Sequence, residues 1–197
     1  MTDELVGAPE VRAAIDSVVA ALLPAVGDEQ AWDGPAGGLR WTCRATLAHI
    51  VDCALWYAAM LARRSEGDVH VPEADPAAPA SLLLDGLHST GHVLAAVVAS
   101  ADPADRARHP FGVGDRSGFA AMGCDEALVH GADIAAGLGL PYTPPGDVCR
   151  RVVRRLFPQA PHDGDPWELL LWANGRRDLA DQPTSRRWTF HCAPLDG

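Results

Sequence analysis

The sequence predicts an all-α protein: a four-helix bundle with a short helical extension behind it and one candidate strand. Two observations predict it. Apolar residues recur at steps of three and four in four separate long stretches, the mark of helices with one buried face. Connections rich in Gly and Pro separate those stretches, and such residues punctuate a chain. With 197 residues, 48% of them hydrophobic, there is ample material for one packed core. The expected organisation is a bundle over residues 1–140 and an extension, too short to fold alone, over 141–197.

The first helix is expected from Glu10 to Leu23, striped by Val11, Ile15, Val18 and Leu22, with Pro24 and Gly27 beyond it. Thr42 is a suitable N-cap for the second helix, which should run to about Ser65. Ser81 can cap a third helix to Ser100, striped by Leu84, Leu87, Leu94 and Val98. A loop holding Pro110, Gly112 and Gly114 follows, and Ser117 can cap the fourth helix, which ends near Leu138. Gly139 suits the left-handed position after that helix. Val148–Phe157 and Trp167–Ala173 read as short helices, and Trp188–Cys192 as one strand.

Charge narrows the function. All sixteen basic residues are Arg, and the net charge of −10 lacks the basic face of a nucleic-acid binder or of a protein held on an anionic membrane. The longest unbroken apolar run, Cys53 to Ala62, is ten residues, short of the roughly 18 that cross a bilayer. The N-terminus is acidic, unlike a signal peptide. Five widely spaced cysteines without a C-x-x-C pair argue for reduced thiols and a cytoplasmic protein. No phosphate-binding Gly loop follows a strand, and no G-x-S-x-G elbow is present.

The chemistry-bearing residues cluster on two helices. Glu126 and His130 are four apart, about 40° around a helix axis, on a stripe with Phe119, Met122 and Ile134. A carboxylate and an imidazole turned inward need partners, because burying them unpaired costs several kcal/mol. A divalent metal is one partner; an ordinary hydrogen-bonded core pair is the alternative. His49, in line with Ala45, Cys53 and Trp56, would complete a His2Glu set from across the bundle. Three protein ligands leave a position open, the pattern of a catalytic zinc site. His88 and His92 form a rival pair on the flank of the third helix, suited to a partly exposed or hydrogen-bonding role. His109 reads as a loop residue near a pocket mouth. Asp52 and Asp133 each follow a histidine by three residues and can orient it, or can pair with Arg elsewhere. Cys53 and Cys124 lie close enough in sequence to serve as ligand or nucleophile, with core filling as the alternative.

These residues carry a resemblance. Trp41-Thr-Cys-Arg-Ala-Thr-Leu-Ala-His49 resembles the start of the second helix in DinB-like proteins, and more closely in the mycothiol-dependent maleylpyruvate isomerase family. Met122-Gly-Cys-Asp-Glu126-Ala-Leu-Val-His130-Gly-Ala-Asp133 resembles that family's E-x-x-x-H-G-x-D segment, and Leu169-Leu-Leu-Trp-Ala-Asn-Gly-Arg176 its L-L-L-W-x-x-G-R signature. The resemblance spans roughly residues 8–177. It implies a four-helix bundle holding a divalent metal, usually zinc, through His49, Glu126 and His130. It also implies mycothiol or a similar small thiol as cosubstrate, and pairing of bundles as a homodimer. It stops short in one respect: the isomerase itself carries a larger α/β C-terminal domain, so isomerisation of maleylpyruvate is not carried over. The expectation is a metal-dependent enzyme that activates a small thiol for transfer to, or isomerisation of, a small electrophile. Two other readings stand beside it: a hydrolase using metal-bound water, and a metal- or ligand-binding bundle without turnover.

Overall fold

The computed structural model describes residues 6–180, 182–184 and 189–195. Four long helices make the bundle: α1 (Ala8–Leu22), α2 (Cys43–Arg63), α3 (Ala80–Ser100) and α4 (Arg116–Gly137). Two shorter ones, α5 (Gly146–Leu156) and α6 (Pro166–Ala173), follow. The fold is all-α as expected, with one small antiparallel hairpin, β1 (Ala107–His109) and β2 (Gly112–Gly114).

Helix α4 is central. Phe119, Ala120, Ala121, Met122, Cys124, Ala127, Leu128 and Ile134 are fully buried and spread around its circumference. It packs on α1, α2 and α3 on one side and on α5 on the other, so it has no apolar stripe of the half-exposed kind. Helices α2 and α3 have the length and mean hydropathy (1.4 each) of membrane spans, although no apolar run in the sequence exceeds ten residues. Their apolar faces pack against one another and against α1 and α4, and α2 carries Arg44, His49 and Asp52. They are helices of the bundle core.

The helix ends show how local chemistry sets the boundaries. Thr42 caps α2 as expected, its hydroxyl accepting from the Ala45 N–H at 3.1 Å. Ser81 does not cap α3: the helix begins at Ala80 behind Pro79, and the Glu29 carboxylate accepts from the Ala80 N–H at 3.2 Å. A remote carboxylate thus replaces the local hydroxyl. The same Glu29 pairs at 2.6 Å with Arg44, which also holds Asp33 and the Ala78 carbonyl, tying the loop after α1 to the starts of α2 and α3. Ser117 does not cap α4 either. Asp115 does, accepting from the Gly118 N–H at 2.7 Å, and an acid is the better partner for a helix N-terminus. Gly139, at φ +68°, takes the expected left-handed position.

The stretch read as a loop around Pro110 is the β1–β2 hairpin, in which Ala107 pairs with Gly114 and His109 with Gly112. Residues 189–192, expected as a strand, are not one; Trp188 lies outside the described residues. The segment instead runs along the end of α5. The His191 N–H donates to the Leu156 carbonyl at 2.7 Å, and the Arg155 guanidinium donates to the carbonyls of His191 and Cys192. All five cysteines are free thiols.

Candidate metal centre

His49 projects from α2, and Glu126 and His130 from α4. The packing of these two helices brings the three together. His49 Nε2 and His130 Nε2 each lie 3.4 Å from the same oxygen, Glu126 Oε2. The two rings stand edge to face with centroids 5.4 Å apart. The other carboxylate oxygen, Oε1, accepts from the Tyr57 hydroxyl at 3.4 Å. These separations exceed the roughly 2.7–3.2 Å of a good N–H···O bond. The two histidine–Glu126 distances have the length of a tetrahedron's edge around zinc, whose ligands at about 2.05 Å stand about 3.3–3.4 Å apart. Among the described residues, however, the group here whose donor atoms all fall within 4.8 Å of one another is His49, Cys53 and Glu126, without His130.

Burial pushes the Glu126 carboxyl up, but His49, His130 and the Tyr57 hydroxyl together outweigh it and hold the pKa below the ordinary value. The group is therefore an anion at neutral pH. Asp133 behaves alike: burial raises it, while His130 and Arg176 bring it below its ordinary value. Asp133 Oδ2 lies 3.1 Å from His130 Nδ1. An ionised carboxylate only accepts, so Nδ1 donates to Asp133, which leaves Nε2 as the ring nitrogen turned to Glu126 and available to a metal. Arg176 grips Asp133 through Nε and Nη2, the latter at 2.8 Å. Asp52 does not do the same for His49. Its carboxylate accepts from the Ala74 N–H at 2.7 Å, because the chain between α2 and α3 folds back over it.

The remaining donor set includes a thiol. Cys53, one turn beyond His49, places Sγ 3.4 Å from His49 Nε2. One donor atom each of His49, Cys53 and Glu126 falls within 4.8 Å of the others. Burial and the nearby Glu126 and Asp52 charges push the Cys53 thiol far above its ordinary pKa. Without a cation beside it, this sulfur stays protonated. Cys124 is fully buried on α4 and fills the core.

A cavity of about 460 Å³ opens on the cluster, lined by His49, Asp125, Glu126, Val129, His130, Asn174 and Arg176. A second, of about 580 Å³, shares Arg176 and adds Asp133, Tyr142, Trp167 and Arg177. Trp41, half exposed, packs edge-on against the His49 ring at 5.1 Å. Tyr57 is buried beneath the site, whereas Trp56 lines a separate cavity with Asp52 and Cys53. Asn174 and Arg176 had no role in the sequence reading, although both lie in the segment whose pattern is distinctive. Asn174 Nδ2 donates to buried Asp125 at 2.7 Å. Burial and the adjacent Glu126 charge push Asp125 up to about 8.

The rival histidines are elsewhere. His88 is exposed and His92 half-buried on α3, both within reach of Asp16 on α1. His109 is no loop residue: it lies on β1, 7% exposed, among Trp56, Tyr57, Phe111 and Phe190. Its Nδ1 accepts from the Phe111 N–H at 3.2 Å. Burial lowers its pKa from 6.5 to about 4. The unfolded chain therefore binds a proton there that the folded chain refuses between those values. The stability that the neutral ring provides is complete above pH 6.5 and is lost as pH falls towards 4. The difference amounts to about 3 kcal/mol. His109→Gln, which keeps an acceptor, should remove most of this extra acid sensitivity. Denaturant unfolding of both chains at pH 7.5 and 4 measures it.

Residues 12–135 match the family model of the mycothiol maleylpyruvate isomerase N-terminal domain. No curated protein and no solved structure matches. The matched span holds His49, Glu126 and His130 but ends before Asn174 and Arg176. It covers well over half of the chain, from within α1 almost to the end of α4, and the chain belongs to the mycothiol maleylpyruvate isomerase N-terminal domain family.

Proposed function

We propose that this chain is a metal-dependent enzyme that activates a mycothiol-like thiol for transfer to, or isomerisation of, a small electrophile. His49, Glu126 and His130 would hold the metal, with zinc the best fit. The observation that carries this reading is the convergence of two Nε2 atoms on one carboxylate oxygen at 3.4 Å, at the wall of an open cavity. A divalent cation there favours thiolate over thiol at neutral pH.

The chain's own residues supply the rest. Asp133 fixes His130 in the tautomer that offers Nε2, and Arg176 fixes Asp133. Tyr57 holds the far oxygen of Glu126 from below. Arg176 also lines both cavities and provides a cationic wall for an acidic group of either substrate. In a transfer, the thiol loses its proton to solvent at the cavity mouth. A new S–C bond forms at the electrophilic carbon, and the leaving group departs with the bonding pair. The walls hold the reactants together, which is where much of the rate arises. Five free thiols and an acidic chain fit a cytoplasmic protein acting on small molecules, with a homodimer as the proposed assembly.

One observation favours a second reading, a bundle that binds metal without turnover: Cys53 Sγ stands close enough to His49 and Glu126 to close the open position. A cobalt-loaded chain separates the two. An intense sulfur-to-cobalt absorption that appears only on adding mycothiol, in wild type and Cys53→Ser alike, supports thiol activation. The same band present before any thiol, and missing in Cys53→Ser, supports the closed centre. Turnover of an ester panel without added thiol would point to a hydrolase instead.

A further inference from the structure

We propose that Asp16, His88 and His92 form a second, solvent-facing site for a divalent transition-metal ion, which staples the first helix of the bundle to the third. His88 and His92 are four apart on α3 and stand side by side, with ring centroids at 4.5 Å. Their Nε2 atoms turn to one oxygen of a residue on another helix: Asp16 Oδ1 lies 3.2 Å from His92 and 3.6 Å from His88. One donor atom from each of the three falls within 4.8 Å of the others. The arrangement repeats, on the surface and with no shared residue, the two-imidazole, one-carboxylate grouping between α2 and α4.

The backbone is built to bring these groups together. Gly91 lies next to His92, and Ile15 next to Asp16. A Cβ at Gly91 would stand 2.5 Å from Ile15 Cγ1 and 2.9 Å from its Cγ2, so the branched side chain could not swing clear. The missing side chain lets α1 seat closely on α3, and the same contact delivers Asp16 over the histidine pair. Among the described residues, Asp16 forms ion pairs with these two histidines and with no arginine. An arginine there would have favoured a plain surface salt bridge over a metal.

The chemistry of the donors selects the ion. Two imidazoles and one carboxylate suit zinc, copper(II), nickel or cobalt; magnesium and calcium prefer all-oxygen sets. The side chains are 40–54% exposed, so water can fill the remaining positions. A metal bound only by the folded chain stabilises it by mass action, and a ligand set spanning two helices places that effect on the α1–α3 contact.

The test uses the full chain, wild type against His88→Gln/His92→Gln. Both variants keep His49, Glu126 and His130, so whatever that set binds cancels in the comparison. After equilibrium dialysis against zinc, elemental analysis should find one more equivalent per chain in the wild type. Zinc should raise the wild-type Tm more than that of the double variant, and magnesium should do neither. Asp16→Asn, which leaves both imidazoles in place, should weaken the same extra equivalent and shrink the same Tm rise. Equal zinc content in wild type and double variant, or an equal zinc-induced Tm shift, overturns the proposal.

Discussion

Glu126→Gln is expected to strip the bound divalent metal from the purified chain and to lower thiol-dependent turnover by at least about a hundredfold. Glu126 Oε2 is the atom on which both imidazoles converge, at 3.4 Å each. The substitution keeps the shape of the side chain and removes its charge. In the native arrangement that charge is secured against the cost of burial by His49, His130 and the Tyr57 hydroxyl. A neutral amide offers a far weaker ligand, and loss even of a group that merely orients a ligand costs about 10–100-fold in affinity or activity. His49→Ala and His130→Ala should have the same direction. Elemental analysis and initial rates with and without thiol check the result together. Full activity in a chain freed of metal would end the proposed mechanism, whatever the variants do.

The largest loss of stability is expected elsewhere, at Arg155→Met. The Arg155 side chain is fully buried, and its guanidinium donates to Asp115 Oδ1 at 2.7 Å and to the carbonyls of His191 and Cys192. Asp115 is also the N-cap of α4, so one cation joins α5, the start of the central helix and the segment after residue 188. Methionine replaces much of the volume but leaves a carboxylate and two carbonyls short of a partner. Removing one member of a buried pair costs about 3–5 kcal/mol. For a chain of this size that is on the order of 10 °C in Tm. Calorimetric or denaturant unfolding measures it, and a loss below 1 kcal/mol would show that water takes over the role of the guanidinium. Arg150, Arg151 and Arg154 share the short helix with Arg155, but their side chains do not share its burial.

What could be read from the sequence follows the reach of the signals. His49, Glu126 and His130 were legible as candidates because each sits on a long helix and two of them are four apart, yet the stripe expected to face inward is the half-buried side of α2 and α4 that borders the cavity. Thr42 was legible for the same local reason. Ser81 and Ser117 misled because the carboxylates that cap those helices stand elsewhere: Asp115 two positions earlier, Glu29 in a distant loop. The hairpin was missed because three-residue strands, Ala-Arg-His and Gly-Val-Gly, are too short for alternation to show around Pro110. Asp52 and Asp133 have the same local spacing from a histidine, yet only Asp133 contacts its own. Tertiary contacts decide between them, as they decide which arginine is buried.

Asn174 and Arg176 reach back across 49 and 43 positions to Asp125 and Asp133, the two acids that flank the Glu126–His130 pair on α4. During synthesis the four bundle helices leave the ribosome first, and for that interval both acids lack their later partners. The nascent bundle therefore carries a loosened pocket wall, and the centre reaches its final electrostatic setting only once α6 and the turn at Gly175 have docked.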